Sequence, residues 1–498
     1  MDSFPETIPD LLRRRAADAA SGPWLFFGAD SWTLADVVGQ ADRFAVGLAD
    51  RGVGRQDRVA LLLGNTPETL FAWFGANLLG AIAAPVHAAS KPPEIAALLR
   101  LTTPRVVVVA DEHRPAAQAA LDGLEPGARP ELAAPRDLAT AGGGAPRVDV
   151  RPDDIAVLLA TSGTTGAPKA VAQTHRTYAL TAEAFPWWLG LGASDRLLTA
   201  LPLSHVNAQA YSTMGALGAG AGLALLPRFS ASGFFDEARR LGATQFNAVG
   251  AMIHILLKGE PRPADRAHSV RLAYTALALP QAQHRAFEDR FGLAMTVGYG
   301  LSESTFGTVW PRGERPRYGT MGVPRQHPRL GGVNRARGVR DDGTDARDDE
   351  VGELWLSNPA TMRGYWNDPA ATGEALAGGW LRTGDLVRRD REGFFTFVSR
   401  KKDVIRRRGE NVAAGEIEAV LASHPAVREA AAVGVPSELG EEDIVAYVAP
   451  QPGAHVDVEA LRAWARERLA DFKVPGAIFV RDALPRTATE RIAKHLLK

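Results

Sequence analysis

The sequence predicts an α/β protein with a large N-terminal domain of layered α/β subdomains and a small α+β C-terminal domain. Three observations carry this expectation. Short apolar, often β-branched runs alternate with helix-periodic segments over most of the chain, the alternation typical of α/β architectures. The run PRVVVVAD at 104–111 has no polar alternation, as expected for a strand covered on both faces. Near residue 400 a basic run, RKKDVIRRR, with Lys or Arg at six of nine positions, precedes a compact mixed pattern. The boundary is therefore set at 400, giving domains 1–400 and 401–498.

The elements follow in order. Residues 32–52 carry apolar residues at helical spacing and end on a glycine. RVALLLGN at 58–65 reads as a buried strand, and 66–81 as a helix that Thr66 is expected to cap, with Glu68 in its first turn. Strand-like runs recur at 81–88, 195–203, 221–227, 243–249 and 270–275. The stretch 312–350, rich in Arg, Gly, Pro and Asp, reads as surface loops and short strands. Beyond 400, helices are expected at 416–424 and 457–470 and strands at 427–436, 443–450 and 477–482. Leu461, Trp464, Ala465 and Leu469 share the apolar face of the last helix.

Composition narrows the function. Lys+Arg and Asp+Glu are both 57 in 498 residues, a zero balance that argues against bulk binding to nucleic acid or an anionic membrane. There is no cysteine, which removes disulfides, thiol nucleophiles and thiolate metal sites. The N-terminus lacks the apolar core of a signal peptide, so a cytoplasmic protein is expected. The longest uncharged stretch, 206–227, holds glycines at 215, 218, 220 and 222, too many for a spanning helix.

The strongest chemical signal is TSGTTGAPK at 161–169, directly after a buried strand. Small residues let backbone N–H groups converge on an anion, hydroxyls add donors, and Lys169 adds charge. It is not a Walker loop, because Lys169 follows Pro168 and precedes Ala170. Other residues say less alone. A lone His205 is more often structural, an isolated Glu303 more often solvated, and the basic run 400–408 equally a solvated face.

TSGTTGAPK resembles the phosphate loop of the adenylate-forming superfamily of acyl-CoA synthetases, adenylation domains and luciferases. The resemblance extends over nearly the whole chain, and in appearance the chain is most similar to bacterial crotonobetaine/carnitine-CoA ligase-like acyl-CoA ligases. It implies phosphate contacts from Thr161, Ser162, Gly163, Thr164, Thr165, Gly166 and Lys169. LPLSHVNAQ at 201–209 implies a role for His205 at an acid pocket completed by Val249, Gly250, Ala251, Gly298 and Leu301. VGYGLSEST at 297–305 resembles a Tyr-Gly-x-Thr-Glu motif. It implies Tyr299 and Gly300 beside adenine, with Thr275 and Ala276, Ser302 on the α-phosphate, and Glu303 on Mg²⁺. GELWLSNPATMRGYWNDP at 352–369 and GGWLRTGDL at 378–386 also fit, and the latter implies Asp385 on the ribose hydroxyls. Arg400 would reach ribose or phosphates, Lys402 would be the hinge of a mobile small domain, and Gly409 would lie against pantetheine. Some of Arg406, Arg407 and Arg408 would meet CoA phosphates.

Two departures stand out. Where the family reads Pro-x-Thr-x-x-Gly-Lys-Ile, this chain reads PRTATERI at 485–492, so that Arg491 replaces the adenylation lysine. A planar guanidinium does not reproduce a compact ammonium, and Lys494 substitutes only if the loop repacks. At 275–277 Thr, Ala and Leu replace a Gly-Ala-Pro-like turn. The resemblance thus implies an ATP- and Mg²⁺-dependent ligase with catalytic Lys169, His205, Glu303, Arg400 and Arg491, acting on a small-molecule acid and most simply on CoA. Transfer to a carrier protein or an amine, activation of nitrite for diazotisation of an aromatic amine, and nucleotide binding without catalysis are the alternatives.

Overall fold

The computed structural model describes residues 6–18, 22–139, 145–161, 168–276, 278–330, 334–407, 410–436, 442–469, 473–487 and 491–497. By compactness the chain divides into two units, Met1–Ala336 with Leu356–Leu381, and Arg337–Trp355 with Arg382–Lys498. The second unit takes in residues on both sides of position 400.

Among the described residues the first unit holds two large sheets. In one, the strands run Gly364–Tyr365, Lys169–Thr174, Ile155–Thr161, Ile82–Pro85, Arg58–Leu62, Val106–Val109 and Glu131–Ala133. Ile82–Pro85, Arg58–Leu62 and Val106–Val109 run parallel and are buried apart from half-buried Arg58, as the unbroken apolar runs predict. In the other, the order is Val323–Pro324, Ser304–Val309, Ala294–Leu301, Leu272–Thr275, Gln245–Ala248, Arg196–Thr199, Gly222–Leu225, Pro23–Phe27 and Asp30–Thr33. The observed strands sit inside the sequence expectations and are shorter, because pairing stops where the chain turns.

Helix starts show where local reading succeeds and fails. Leu34–Ala49 opens on a capping box: Thr33 Oγ1 accepts from Asp36 N, and Asp36 accepts from Thr33 N. The expected cap at Thr66 is not made. Its side chain bonds nothing in the first turn, and Pro67 opens the helix Pro67–Leu78 instead, since a proline there has no N–H to satisfy. The glycines of 215–222 serve packing. A β-carbon at Gly218 would overlap the Ala182 carbonyl, so glycine lets the helix Met214–Ala219 lie against His175–Leu189. No helix among the described residues is long and apolar enough to cross a membrane.

In the second unit the antiparallel strands Val427–Pro436 and Glu442–Pro450, with Ala477–Val480 parallel to the latter, form a three-stranded sheet. Ile417 and Leu421 of the helix Ala414–Ala422 and Leu461 and Ala465 of the helix Val458–Arg466 pack on one face. Leu484 and Leu497 cover the other.

Candidate active site

The phosphate-loop motif joins the strands Ile155–Thr161 and Lys169–Thr174, an antiparallel pair in which Thr161 faces Lys169. These two residues are the loop's described ends; Ser162, Gly163, Thr164, Thr165 and Gly166 lie outside the described residues. The return strand is anchored by Ala170, Val171 and Ala172, all buried. The strand Gly364–Tyr365 pairs along it, with Tyr365 opposite Val171. That register brings the Tyr365 ring beneath Lys169, whose Nζ lies 4.9 Å from the ring centroid.

The Tyr365 hydroxyl donates to Glu303 Oε1 at 2.9 Å. Burial, and then the neighbouring Glu303 charge, raise the phenol's pKa well above its ordinary value, so it stays a donor. The Ser302–Glu303 backbone is pinned twice: Met362 N donates to Glu303 O at 2.7 Å, and Gln173 Nε2 donates to Ser302 O. The Lys169 ammonium and the Glu303 carboxylate therefore meet at one tyrosine. Sequence reading gave Tyr365 and Gln173 no role. The tyrosine's signal lay in the quoted segment GYWNDP, but its partner is 62 residues away.

The strand Ala294–Leu301 sets out the other residues of VGYGLSEST. Tyr299 pairs with Thr308 and is nearly buried. Thr275, fully buried at the end of Leu272–Thr275, sits between Ala248 and Val297 of the adjacent strands; Ala276 is exposed, and residue 277 lies outside the described residues.

The segment carrying His205 is fixed by Asn65, another residue without a sequence signal. Buried Asn65 donates to Leu201 O at 2.9 Å and Leu226 O at 3.1 Å, and its Oδ1 accepts from Leu203 N at 2.7 Å. Half-buried His205 lies beside His87, their ring centroids 5.5 Å apart. Asn247, which leads into Val249, Gly250 and Ala251, donates to Asn207 Oδ1 at 3.0 Å, so these segments meet next to His205. Val249 and Ala251 are exposed at the start of the helix Gly250–Lys258.

The second unit holds Asp385 and Arg400, which face each other across the strands Trp380–Arg389 and Phe395–Arg400. Arg400 Nε lies 2.6 Å from Asp385 Oδ1, and the carboxylate is buried. The turn before Asp385 is built for it. Gly384 takes φ +68°, Thr383 Oγ1 accepts from Asp385 N at 3.1 Å, and Glu353 Oε1 accepts from Gly384 N at 3.0 Å. Glu353 Oε2 also accepts from Lys401 Nζ at 3.2 Å. The Lys402 backbone lies in the 3₁₀ turn Lys401–Asp403; Arg408 and Gly409 lie outside the described residues. Arg407 is engaged elsewhere, donating to Val474 O at 2.6 Å.

Arg491 is exposed and bonded to Thr487: Thr487 N donates to its carbonyl at 2.8 Å, and its own N–H donates to Thr487 Oγ1 at 3.2 Å. Lys494 is tethered, its Nζ 2.7 Å from Glu418 Oε1 and 3.5 Å from Asp403 Oδ2.

Residues 12–366 match the family described as AMP-binding enzyme, and residues 416–491 match the AMP-binding enzyme C-terminal domain. The chain is 32% identical over 467 residues to the crotonobetaine/carnitine–CoA ligase of Salmonella arizonae, covering 90% of this chain and 89% of that one. It is 33% identical over 507 residues to the sulfoacetate–CoA ligase of Cupriavidus necator, covering 98% and 97%. Among solved structures it resembles the anthranilate CoA ligase AuaEII in complex with anthranoyl-AMP, with a TM-score of 0.88 at 26% identity over 99% and 97% of the two chains.

Proposed function

This chain belongs to the AMP-binding enzyme family, and on that footing we propose that it activates an organic acid as its adenylate, using ATP with Mg²⁺, and passes the acyl group to the CoA thiol. An acid oxygen attacks the α-phosphorus, and the bond to pyrophosphate breaks. The thiol sulfur then attacks the carbonyl carbon, and AMP leaves.

The observation that carries this reading is the convergence of Lys169 and Glu303 on Tyr365 beside the hydroxyl-rich loop. Lys169, with Thr161, Ser162, Thr164 and Thr165, counters phosphate charge. Ser302 donates to the α-phosphate, and Tyr299, Gly300, Thr275 and Ala276 receive the adenine. A Mg²⁺ ion carried by nucleotide needs hard oxygen donors and few from the protein. The donor set fits. Glu303 supplies one carboxylate held by a tyrosine, and among the described residues no group of three or more acidic, His or Cys side chains gathers to chelate a metal. When bound, the ion neutralises phosphate charge.

Asp385 accepts from the ribose hydroxyls, its buried carboxylate paired with Arg400. His205, with His87 behind it, orients the acid. Arg491 takes the place of the adenylation lysine, Lys402 is the hinge, and Gly409 admits the pantetheine arm. A reaction consuming ATP and CoA fits the cytoplasm. The test is release of pyrophosphate and AMP from Mg·ATP that depends on an added acid, with a thioester formed when CoA is present. Release that needs a carrier protein or an amine would move the second step to that acceptor.

A further inference from the structure

The residues assigned to the acid pocket leave its depth open, and three features bear on it. First, the helix after His205 begins with a π turn, Asn207–Thr213, a wide geometry common at functional sites. Tyr211 within it is buried; its ring stacks on Phe185 at 4.9 Å, and its hydroxyl donates to Thr305 O at 2.8 Å. Second, the two glycines of VGYG face phenols. A β-carbon at Gly298 would lie 2.6 Å from Tyr274 Oη, and one at Gly300 would overlap Tyr211 Oη. The space the glycines vacate is already filled. Third, a cavity bordered by Phe185, Tyr211, Tyr274, Tyr299 and Arg325, which none of the residues assigned to the acid pocket lines, has a volume of about 10 Å³, room for one water, so the phenols have little space to retreat into. The wall toward His205 is polar. Asn247 Nδ2 donates to Asn207 Oδ1 at 3.0 Å and to Ser212 Oγ at 3.1 Å.

We infer that Tyr211, backed by Tyr274, is the floor of the acid pocket and restricts the substrate to short hydrophilic acids, excluding medium-chain fatty acids and aryl acids. This rests on the acid-activating reading above. An added methylene or ring finds the phenols in its path, and moving Tyr211 breaks its bond to Thr305 and its stack on Phe185.

The test measures acid-dependent pyrophosphate release with Mg·ATP and CoA. Glycolate, propionate and malonate are set against hexanoate, octanoate and benzoate, for the wild-type protein, Tyr211→Ala and Tyr211→Phe. The best short acid is expected to exceed each larger acid by about 100-fold in kcat/KM. Tyr211→Ala is expected to cut that ratio by about tenfold or more, while Tyr211→Phe, which keeps the ring, keeps the preference. Should the alanine variant fail to fold, Tyr211→Leu shifts the ratio in the same direction. Octanoate or benzoate turned over by wild type as well as any short acid overturns the inference and leaves acid activation standing. A folded Tyr211→Ala with an unchanged ratio also overturns it. Release with no acid, in a protein that binds ATP, overturns acid activation and the inference with it.

Discussion

Tyr365→Phe removes one hydroxyl from the junction of Lys169 and Glu303 and keeps the ring. The lost interaction is a phenol-to-carboxylate hydrogen bond of 2.9 Å. Hydrogen bonds to charged groups are worth about 1.5–3 kcal/mol, and both partners here are half-buried, which favours the lower end. At about 1.4 kcal/mol per decade this is roughly a tenfold loss in how well Glu303 is held for Mg²⁺. The ring contact to Lys169 is retained in this variant, so its contribution of about 0.5–1 kcal/mol stays out of the comparison. The assay is pyrophosphate release against Mg²⁺ concentration at saturating ATP and acid. The half-saturating Mg²⁺ concentration should rise about tenfold in Tyr365→Phe, and Tyr365→Leu, which also strips the ring from Lys169, should weaken ATP as well. A Tyr365→Phe curve superimposed on that of the wild type would refute a role for this hydroxyl in holding Glu303.

Further outcomes follow from the same geometry. Lys169→Ala and Asp385→Ala should each lower activity by about a hundredfold or more, the cost of losing a preorganised charge contact, as read by initial rates of pyrophosphate release; near-wild-type turnover would remove those residues from the site. Arg491→Ala should abolish pyrophosphate release while a supplied acyl-adenylate is still consumed; loss of both half-reactions in a folded variant would contradict that division. His175 is fully buried, and burial, opposed by the charges of Asp154 and Asp10, lowers its pKa from 6.5 to about 4. The unfolded chain protonates below pH 6.5 while the folded one resists, so this stability is present above pH 6.5 and is lost as pH falls through about 4. The loss amounts to at most about 3 kcal/mol. Urea midpoints from pH 7 to 4.5 should fall less steeply in His175→Leu than in wild type, and parallel curves would reject the assignment.

Much of the fold was legible because its signals are local. The buried runs at 58–62 and 106–109 need no partner to be recognised as strands; TSGTTGAPK shows its glycines, hydroxyls and lysine in one run, while VGYGLSEST is readable only through its resemblance to a family motif. What escaped depends on pairing between distant segments. Tyr365 acquires its role only when Gly364–Tyr365 pairs with the return strand of the phosphate loop. Asn65, 136 residues from Leu201, looks like any loop amide until it bridges three backbone groups. Glu353 shows its function only when the turn at Gly384 folds over it. The failed cap at Thr66 is a local error of another kind: the following proline already solves that helix start, whereas the capping box the sequence reading passed over, Thr33 with Asp36, opens a different helix, Leu34–Ala49.

The most direct test of the central claim is pyrophosphate and AMP release from Mg·ATP across a panel of organic acids, with nitrite, a carrier protein and an aromatic amine as further arms, each with and without CoA. The account predicts release that requires one organic acid, rises when CoA is added, and leaves an acyl-CoA thioester detectable by mass. Release driven by nitrite, release that needs the amine, or ATP binding with no release under any condition would contradict it.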